Sequence, residues 1–276
     1  MNKARLIEIL PALLDATTCA SKEAMRIYAK AEPDIQYKKD NSPVTEADLA
    51  VNKIVTDALN ELTPEIPVIS EEALVFYEDR KDWKEYWILD PIDGTKEFIK
   101  KSGEFTINIG YVKNGIPQFG IINVPVTEET YYGGLLLDAS YKNHHTSPAR
   151  VAWTLGLHEK IKITCSKDHK SPHYHKFFEN FKVRNNGAVE EVPCGSTIKI
   201  AQIAEGKAHI YVRLSGINDW DLAAGHAIIL GSGGTVYDID MKRLEYNTES
   251  QRLNPFVIVG LHNLPWFNSV PAELRE

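Results

Sequence analysis

Cysteine is scarce: Cys19, Cys165 and Cys194 are the only three in 276 residues, odd in number and outside any CxxC spacing. That weighs against a disulfide framework or a thiolate zinc site and suits reduced thiols in a cytoplasmic protein. Long hydrophobic runs are missing as well. No stretch of eighteen apolar residues exists to span a bilayer, and Glu8 and Asp15 interrupt the apolar start that an export signal would need. Nor is there a basic excess: 31 Lys and Arg against 38 Asp and Glu give a net charge of −7. Coating nucleic acid requires the opposite sign, so a polymer partner is not expected. No G-x-x-x-x-G-K-[ST] loop occurs, and the GSGG at 231–234 reads as a helix stop rather than a dinucleotide fingerprint. His144, His145, His169, His173 and His175 lie in polar, loop-like context rather than at zinc-ligand spacing.

What is present is enough hydrophobic sequence, 43% of the chain, for a large core. Leu6, Ile9, Leu10, Leu13 and Leu14 recur at helical spacing and predict a first helix over 3–30. A polar loop, 31–41, follows. Thr45 then caps a second helix carrying Val51, Ile54, Val55, Ala58, Leu59 and Leu62, stopped by Pro64, with Asp48 in its first turn. From Val68 the pattern becomes that of strands, including a hairpin whose Asn114-Gly115 is a turn signal between FTINIGYV and PQFGIINVP. The polar stretch 138–150 is the predicted seam between an N-terminal half, 1–140, and a C-terminal half, 141–276. The second half mixes strands (IKITCS, AHIYVRL, TVYDI, FVIVG) with helices near 173–181, 196–205 and up to Gly231. Together these predict a layered α/β fold in which the halves pack as one unit.

Four places end an apolar segment, or open a helix, with acids: Asp48, Glu71 with Glu72, Asp90 with Asp93, and Asp219 with Asp221. Any one of them could be a cap or a solvated loop. The pair in WILDPIDGTKEF resists that reading, because carboxylates ending a core-like strand are costly unless paired, hydrogen-bonded or bound to metal. Oxygen ligands without thiolate or nearby histidine suit Mg2+, or Mn2+, rather than zinc. Pro91 fixes φ between the two aspartates, which can aim at one point together with the carbonyl of Ile92. Two ions about 3.5–4 Å apart would clamp a phosphate and activate water. If GTKEFIKK opens a helix, the amides of Gly94 and Thr95 can hold that phosphate without arginine. The expected chemistry is phosphomonoester hydrolysis.

The segments VTEADLAVNK, VISEEA, WILDPIDGTKEF and DWDLAAGHAI, in this order, resemble those of the magnesium-dependent, lithium-sensitive phosphatases related to inositol monophosphatase. The resemblance extends over nearly the whole chain and implies an αβαβα sandwich. It also implies roles: Glu71, Asp90, the Ile92 carbonyl, Asp93 and Asp221 as ligands for two or three Mg2+ ions, and Asp48 with Thr95 as the pair that orients and deprotonates water. Within the family, GTKEFIKKSGEFTINI, CGSTIK, SKDH and YVR resemble segments of the 3'(2'),5'-bisphosphate nucleotidases. That likeness implies His169, Ser196, Lys199 and Arg213 as contacts to a small phosphorylated nucleotide, adenosine 3',5'-bisphosphate or its sulfated relative, and a place in sulfur metabolism. Two other readings stay open at this point: an inositol or sugar phosphate as substrate, and a phospholigand-binding regulator that does not turn over.

Overall fold

The computed structural model describes residues 1–30, 35–37, 43–144, 147–150, 160–167, 170–260 and 266–274. Its architecture follows from two sheets, each covered by helices on both faces. The larger sheet has seven strands, running in order Val68–Ser70, Glu85–Asp93, Thr106–Lys113, Ile116–Val124, Glu129–Gly134, Ala139–His144 and Ser147–Arg150. Only its first pair is parallel; every other neighbour is antiparallel. In the smaller sheet, Val189–Pro193, Ile161–Cys165, Ile210–Arg213, Phe256–Val259 and Thr235–Asp238 are neighbours in that order.

Alternation along Glu85–Asp93 shows how the layers form, since successive side chains of a strand leave opposite faces of the sheet. Trp87 and Leu89 join a core with Leu6, Leu13, Val51 and Val55 of the antecedent helices Lys3–Tyr28 and Glu46–Leu62. Tyr86 and Ile88 face the other way, into a core with Ile200, Ala224 and Ile228 of helices Ile198–Ala204 and Ala223–Gly231, which in turn meet Tyr211, Phe256 and Ile258 of the smaller sheet. The far face of that sheet is covered by helix Pro172–Arg184 through Phe177 and Phe181. The order is therefore αβαβα, as the resemblance implies.

Helix Ala223–Gly231 lies unusually close to the larger sheet. Gly110 and Gly120 sit opposite one another in register, and a Cβ on Gly120 would fall 2.2 Å from the carbonyl oxygen of Ala224. Only a strand without side chains at these positions admits the helix backbone at that distance. The approach matters because Asp221 sits two residues before that helix begins.

Several expectations need adjustment. The polar stretch 138–150, expected as a seam, contributes the last two strands of the larger sheet, Ala139–His144 and Ser147–Arg150. Within the expected loop 31–41, Ile35–Tyr37 pairs antiparallel with Pro43–Thr45. The apolar segment that ends in acids belongs to a strand running on to Asp93, with its register shifting between Asp90 and Asp93. Pro91, which has no N–H to donate, falls in that interruption, where a ladder bond is least missed. The Asn114-Gly115 hairpin is as expected, both residues having positive φ.

Candidate active site

Asp48 is fixed by the start of its own helix. Thr45 Oγ1 accepts from Ala47 N at 3.1 Å, while Thr45 N and Thr45 Oγ1 both donate to Asp48 Oδ2 at 2.7 Å. This reciprocal capping box holds one carboxylate oxygen and leaves Oδ1 for other work. Oδ1 lies 3.5 Å from Thr95 Oγ1, which also donates to the Ile92 carbonyl at 3.2 Å. The two residues assigned to water thus meet beside the end of the strand Glu85–Asp93. Burial, followed by the charges of Glu72 and Glu71, pushes Asp48 up to about 7.

Asp90, Asp93 and Asp221 each present a carboxylate oxygen within 4.8 Å of the others. Asp90 is 1% exposed, and its Oδ1 has no hydrogen-bond partner among the described residues. Burial pushes Asp90 well above the usual carboxylate range, and the charges of Glu71 and Asp93 add to it. Asp221 is raised in the same way, by burial and then by Asp93 and Glu71, against a bond from Asn218 N at 3.1 Å. An orphaned buried oxygen amid converging carboxylates, with no thiol or imidazole in the set, fits a hard divalent cation. Glu71 stands outside the group of three, yet its charge reaches Asp48, Asp90 and Asp221.

Asp93 has a second task. Its Oδ2 accepts from Ser196 Oγ and from Thr197 N, both at 2.6 Å, so the loop before helix Ile198–Ala204 is tied to a carboxylate of the other half. Asp93, Gly94, Ser196, Lys199, Arg213 and Asp221, all singled out from sequence, line one cleft. Tyr211 and Arg213 reach it as alternate residues of one strand.

Other assignments come out differently. The helix after Gly94 is only five residues, Thr95–Ile99, so its dipole contributes little, and the expected phosphate cradle comes down to individual amides. Gly94 itself has φ +92, and a Cβ there would meet the Glu104 carbonyl oxygen at 2.9 Å. Lys199 is 8% exposed and its Nζ donates to the carbonyls of Cys194, at 3.3 Å, and Ser196. Its ammonium braces the loop as well as lining the cleft. Arg213, whose one hydrogen bond among the described residues runs from Nε to Ser215 O at 3.3 Å, is the less constrained cation, and its charge reaches Asp221. His169 lies outside the described residues. Asp219 is buried two residues from Asp221 and raised to about 7 by burial, but does not belong to the group of three.

Sequence reasoning missed the polar residues behind the carboxylates. Asn108 is the cross-strand partner of Asp90, and Thr197 Oγ1 donates to its Oδ1 at 2.8 Å. Thr106 Oγ1 lies 2.6 Å from both Ser196 Oγ and Thr197 Oγ1. A signal existed: Thr106 and Asn108 are polar at alternate positions of a strand otherwise apolar up to Lys113. Glu104, which accepts from Gly195 N at 3.2 Å and Lys167 Nζ at 2.7 Å, carried none.

The sequence model of the inositol monophosphatase family matches residues 6–258. A relative from Escherichia coli O157:H7, named 3'(2'),5'-bisphosphate nucleotidase CysQ, is 35% identical over 254 residues, covering 88% of this chain and 96% of the relative. Its namesake from Salmonella typhimurium is 35% identical over 247 residues, 86% and 93% of the two chains. Among solved structures, CysQ from Bacteroides thetaiotaomicron is similar with a TM-score of 0.79 and 34% identity, covering 90% of this chain and 95% of its own. An inositol monophosphatase from Zymomonas mobilis, at 24% identity and a TM-score of 0.75 over 96% of this chain and 98% of its own, shares the fold. The chain belongs to the inositol monophosphatase family.

Proposed function

We propose that this protein is a Mg2+-dependent 3'(2'),5'-bisphosphate nucleotidase that hydrolyses the 3'-phosphate of adenosine 3',5'-bisphosphate to AMP and phosphate. One observation carries the reading: Asp93 and Asp221, two of the three converging carboxylates, line a cleft that also holds Ser196, Lys199 and Arg213, with Asp90 buried beside them. Acids at one place and cations in the same cleft suit a substrate with two phosphates, one met by metal and one by side chains. The names of the relatives agree with this chemistry.

Two or three Mg2+ ions, with Mn2+ as a substitute, would be held by Glu71, Asp90, Asp93, Asp221 and the Ile92 carbonyl, and would supply positive charge to phosphate oxygens and acidify water. The remaining work belongs to the chain. Asp48, with Oδ2 tied down by Thr45, offers Oδ1 as the acceptor for the proton of the attacking water, and Thr95 Oγ1 orients that water from the other side. In the metal-free chain burial pushes that carboxyl up to about 7, and bound cations would draw it down again toward the ionised form that accepts a proton. The amides of Gly94 and Thr95 would steady the reacting phosphate. Arg213 and Lys199 would hold the second phosphate, Ser196 would contact the nucleoside, and His169 is retained as a contact on its sequence alone. Residues 1–140 and 141–276 would act as one unit, which the bonds from Ser196 and Thr197 to Asp93 support. Three free cysteines suit the cytoplasm, and the substrate suits sulfur metabolism.

Phosphate release with Mg2+ from adenosine 3',5'-bisphosphate, inositol 1-phosphate and fructose 1,6-bisphosphate, measured in parallel, tests the reading. The nucleotide should be preferred. Arg213→Ala should erase that preference by raising KM for the nucleotide alone; preference for inositol 1-phosphate would overturn the substrate assignment, and no turnover of any of the three would overturn the activity.

A further inference from the structure

A second cavity lies away from the acid cluster, where the hairpin turn at Gly115–Pro117 meets the end of helix Ala223–Gly231 and the strand Thr235–Asp238. Its walls are mostly apolar: Ile116, Pro117, Leu135, Leu230, Val236 and Leu244. Thr235, Tyr237 and Arg243 also line it, as does one buried imidazole. His226, 6% exposed, lines the cavity, and its Nδ1 lies 2.9 Å from Tyr246 Oη.

That single bond settles the tautomer. Tyr246 is buried and its phenol is held well above its ordinary value, so it stays protonated. Among the described residues the hydroxyl has no other hydrogen-bond partner. If Nδ1–H donated to it, the phenol hydrogen would be left buried without an acceptor, which is costly. Tyr246 therefore donates to Nδ1, and the hydrogen of the neutral imidazole resides on Nε2. Burial also keeps the ring neutral, lowering it to about 3. Nε2 has no hydrogen-bond partner among the described residues, and the ring that carries it lines the cavity. The result is a buried imidazole of fixed tautomer in a mostly apolar wall that Thr235, Tyr237 and the exposed Arg243 complete.

We propose that this cavity is a binding site for a small apolar molecule carrying one oxygen acceptor, with the apolar body against Ile116, Leu230, Val236 and Leu244 and the oxygen accepting from His226 Nε2–H. A ligand pocket of this kind combines apolar walls with few, well-placed polar groups. The site shares no lining residue with the acid-bearing cleft.

Acetophenone and ethylbenzene are suitable probes, being alike in shape and differing in the carbonyl oxygen. Binding to the full-length protein is followed by ligand-observed saturation transfer, and the His226 tautomer by 15N shifts of the ring. The wild-type ring should show an unprotonated Nδ1 and a protonated Nε2 before any probe is added. Acetophenone should bind about tenfold more tightly than ethylbenzene, the worth of one hydrogen bond, and should shift Nε2. His226→Phe should bring the two probes to parity, and Leu230→Trp, which fills the cavity, should abolish both. An Nδ1–H tautomer, equal affinities in the wild type, absence of binding, or acetophenone binding that survives Leu230→Trp would each overturn the proposal. The tautomer measurement needs no substitution and stands even where a variant fails to fold.

Discussion

Replacing Asp93 by asparagine removes one charge from the acid cluster while leaving its shape almost unchanged. The carboxylate oxygens of Asp90, Asp93 and Asp221 lie within 4.8 Å of one another. At an effective dielectric constant of about 20, a fully ionised like-charged pair at that separation costs roughly 3 kcal/mol. Asp90 and Asp221 are already raised, by burial first and then by charges that include Asp93, so part of that repulsion is relieved by protonation. For both neighbours together, about 3 kcal/mol of relief is a reasonable value. Against it stands the second task of Asp93. The amide oxygen of Asn can still accept from Ser196 Oγ and Thr197 N, but without the charge these bonds weaken by about 1 kcal/mol. Asp93→Asn should therefore stabilise the metal-free protein by about 2 kcal/mol, roughly 4 °C in Tm for a chain of this size. The sign with pH is fixed as well. Carboxylates raised on folding hold protons that the unfolded chain has released, so wild-type stability falls as pH rises above about 4, and the gain from Asp93→Asn grows from pH 5 to pH 8. With Mg2+ the order should reverse, because the wild type gains stability from the bound ion. Thermal denaturation in EDTA and in Mg2+ at both pH values, with phosphate release alongside, checks each step. A lower Tm in EDTA would show that Asp93 serves the loop rather than a cation, and an active variant with unchanged Mg2+ demand would remove the metal assignment altogether.

Asp48→Asn should lower kcat by about 10²–10⁴, the usual worth of a positioned base, with KM and the circular dichroism spectrum little changed because the amide oxygen still accepts from Thr45. In the same variant the pH dependence of metal-free stability should flatten. Asp48, raised to about 7, contributes fully in acid and loses that contribution as pH rises through about 7, so a wild-type Tm in EDTA that stays level between pH 4 and pH 7 would contradict its burial. Gly120→Ala places a methyl group 2.2 Å from the Ala224 carbonyl oxygen; it should cost about 3 kcal/mol and, by displacing the helix that follows Asp221, raise the Mg2+ concentration needed for half-maximal activity. An unchanged Mg2+ requirement in a destabilised Gly120→Ala enzyme would separate that helix from the site.

Much of the fold could be read from the chain because its elements are locally consistent. Thr45 and Asp48 are three residues apart and cap their helix by themselves, and Asn114-Gly115 sets its hairpin with two positive φ angles. The acid motifs were legible for a similar reason: Asp90 and Asp93 belong to one strand end, and their cost there is a local fact. What remained hidden depends on contacts across long separations. Nothing near Glu104 announces that it will accept from Gly195 N, 91 residues away. Lys199 reads from sequence as a nucleotide contact, and nothing near it announces that the fold turns its ammonium onto two carbonyls of its own loop. The strands Ala139–His144 and Ser147–Arg150 were hidden for another reason: polar strands at and next to the edge of a sheet lack the apolar alternation that betrays a buried one.

The same long-range contacts explain how one site can be assembled from two sheets. Ser196 is held at φ +51, a left-handed conformation that costs a side-chain-bearing residue about 1–3 kcal/mol. It is over-determined there: Oγ bonds Asp93 and contacts Thr106 at 2.6 Å, while the next amide, Thr197 N, donates to the same Asp93 oxygen. Thr197 in turn reaches Asn108, the cross-strand partner of Asp90. The loop that presents Ser196, Lys199 and their cleft is thus fastened to the carboxylates at two points, through Asp93 directly and beside Asp90 through Asn108. A change of charge at Asp93 must alter the donors that set the loop, and a ligand that moves Ser196 must alter the oxygen that faces the cluster. Cation and substrate should consequently bind with a mutual dependence, reciprocal by thermodynamic necessity. Thr197→Val, which keeps the amide to Asp93 but cuts the hydroxyl link to Asn108, should weaken that dependence without removing either site.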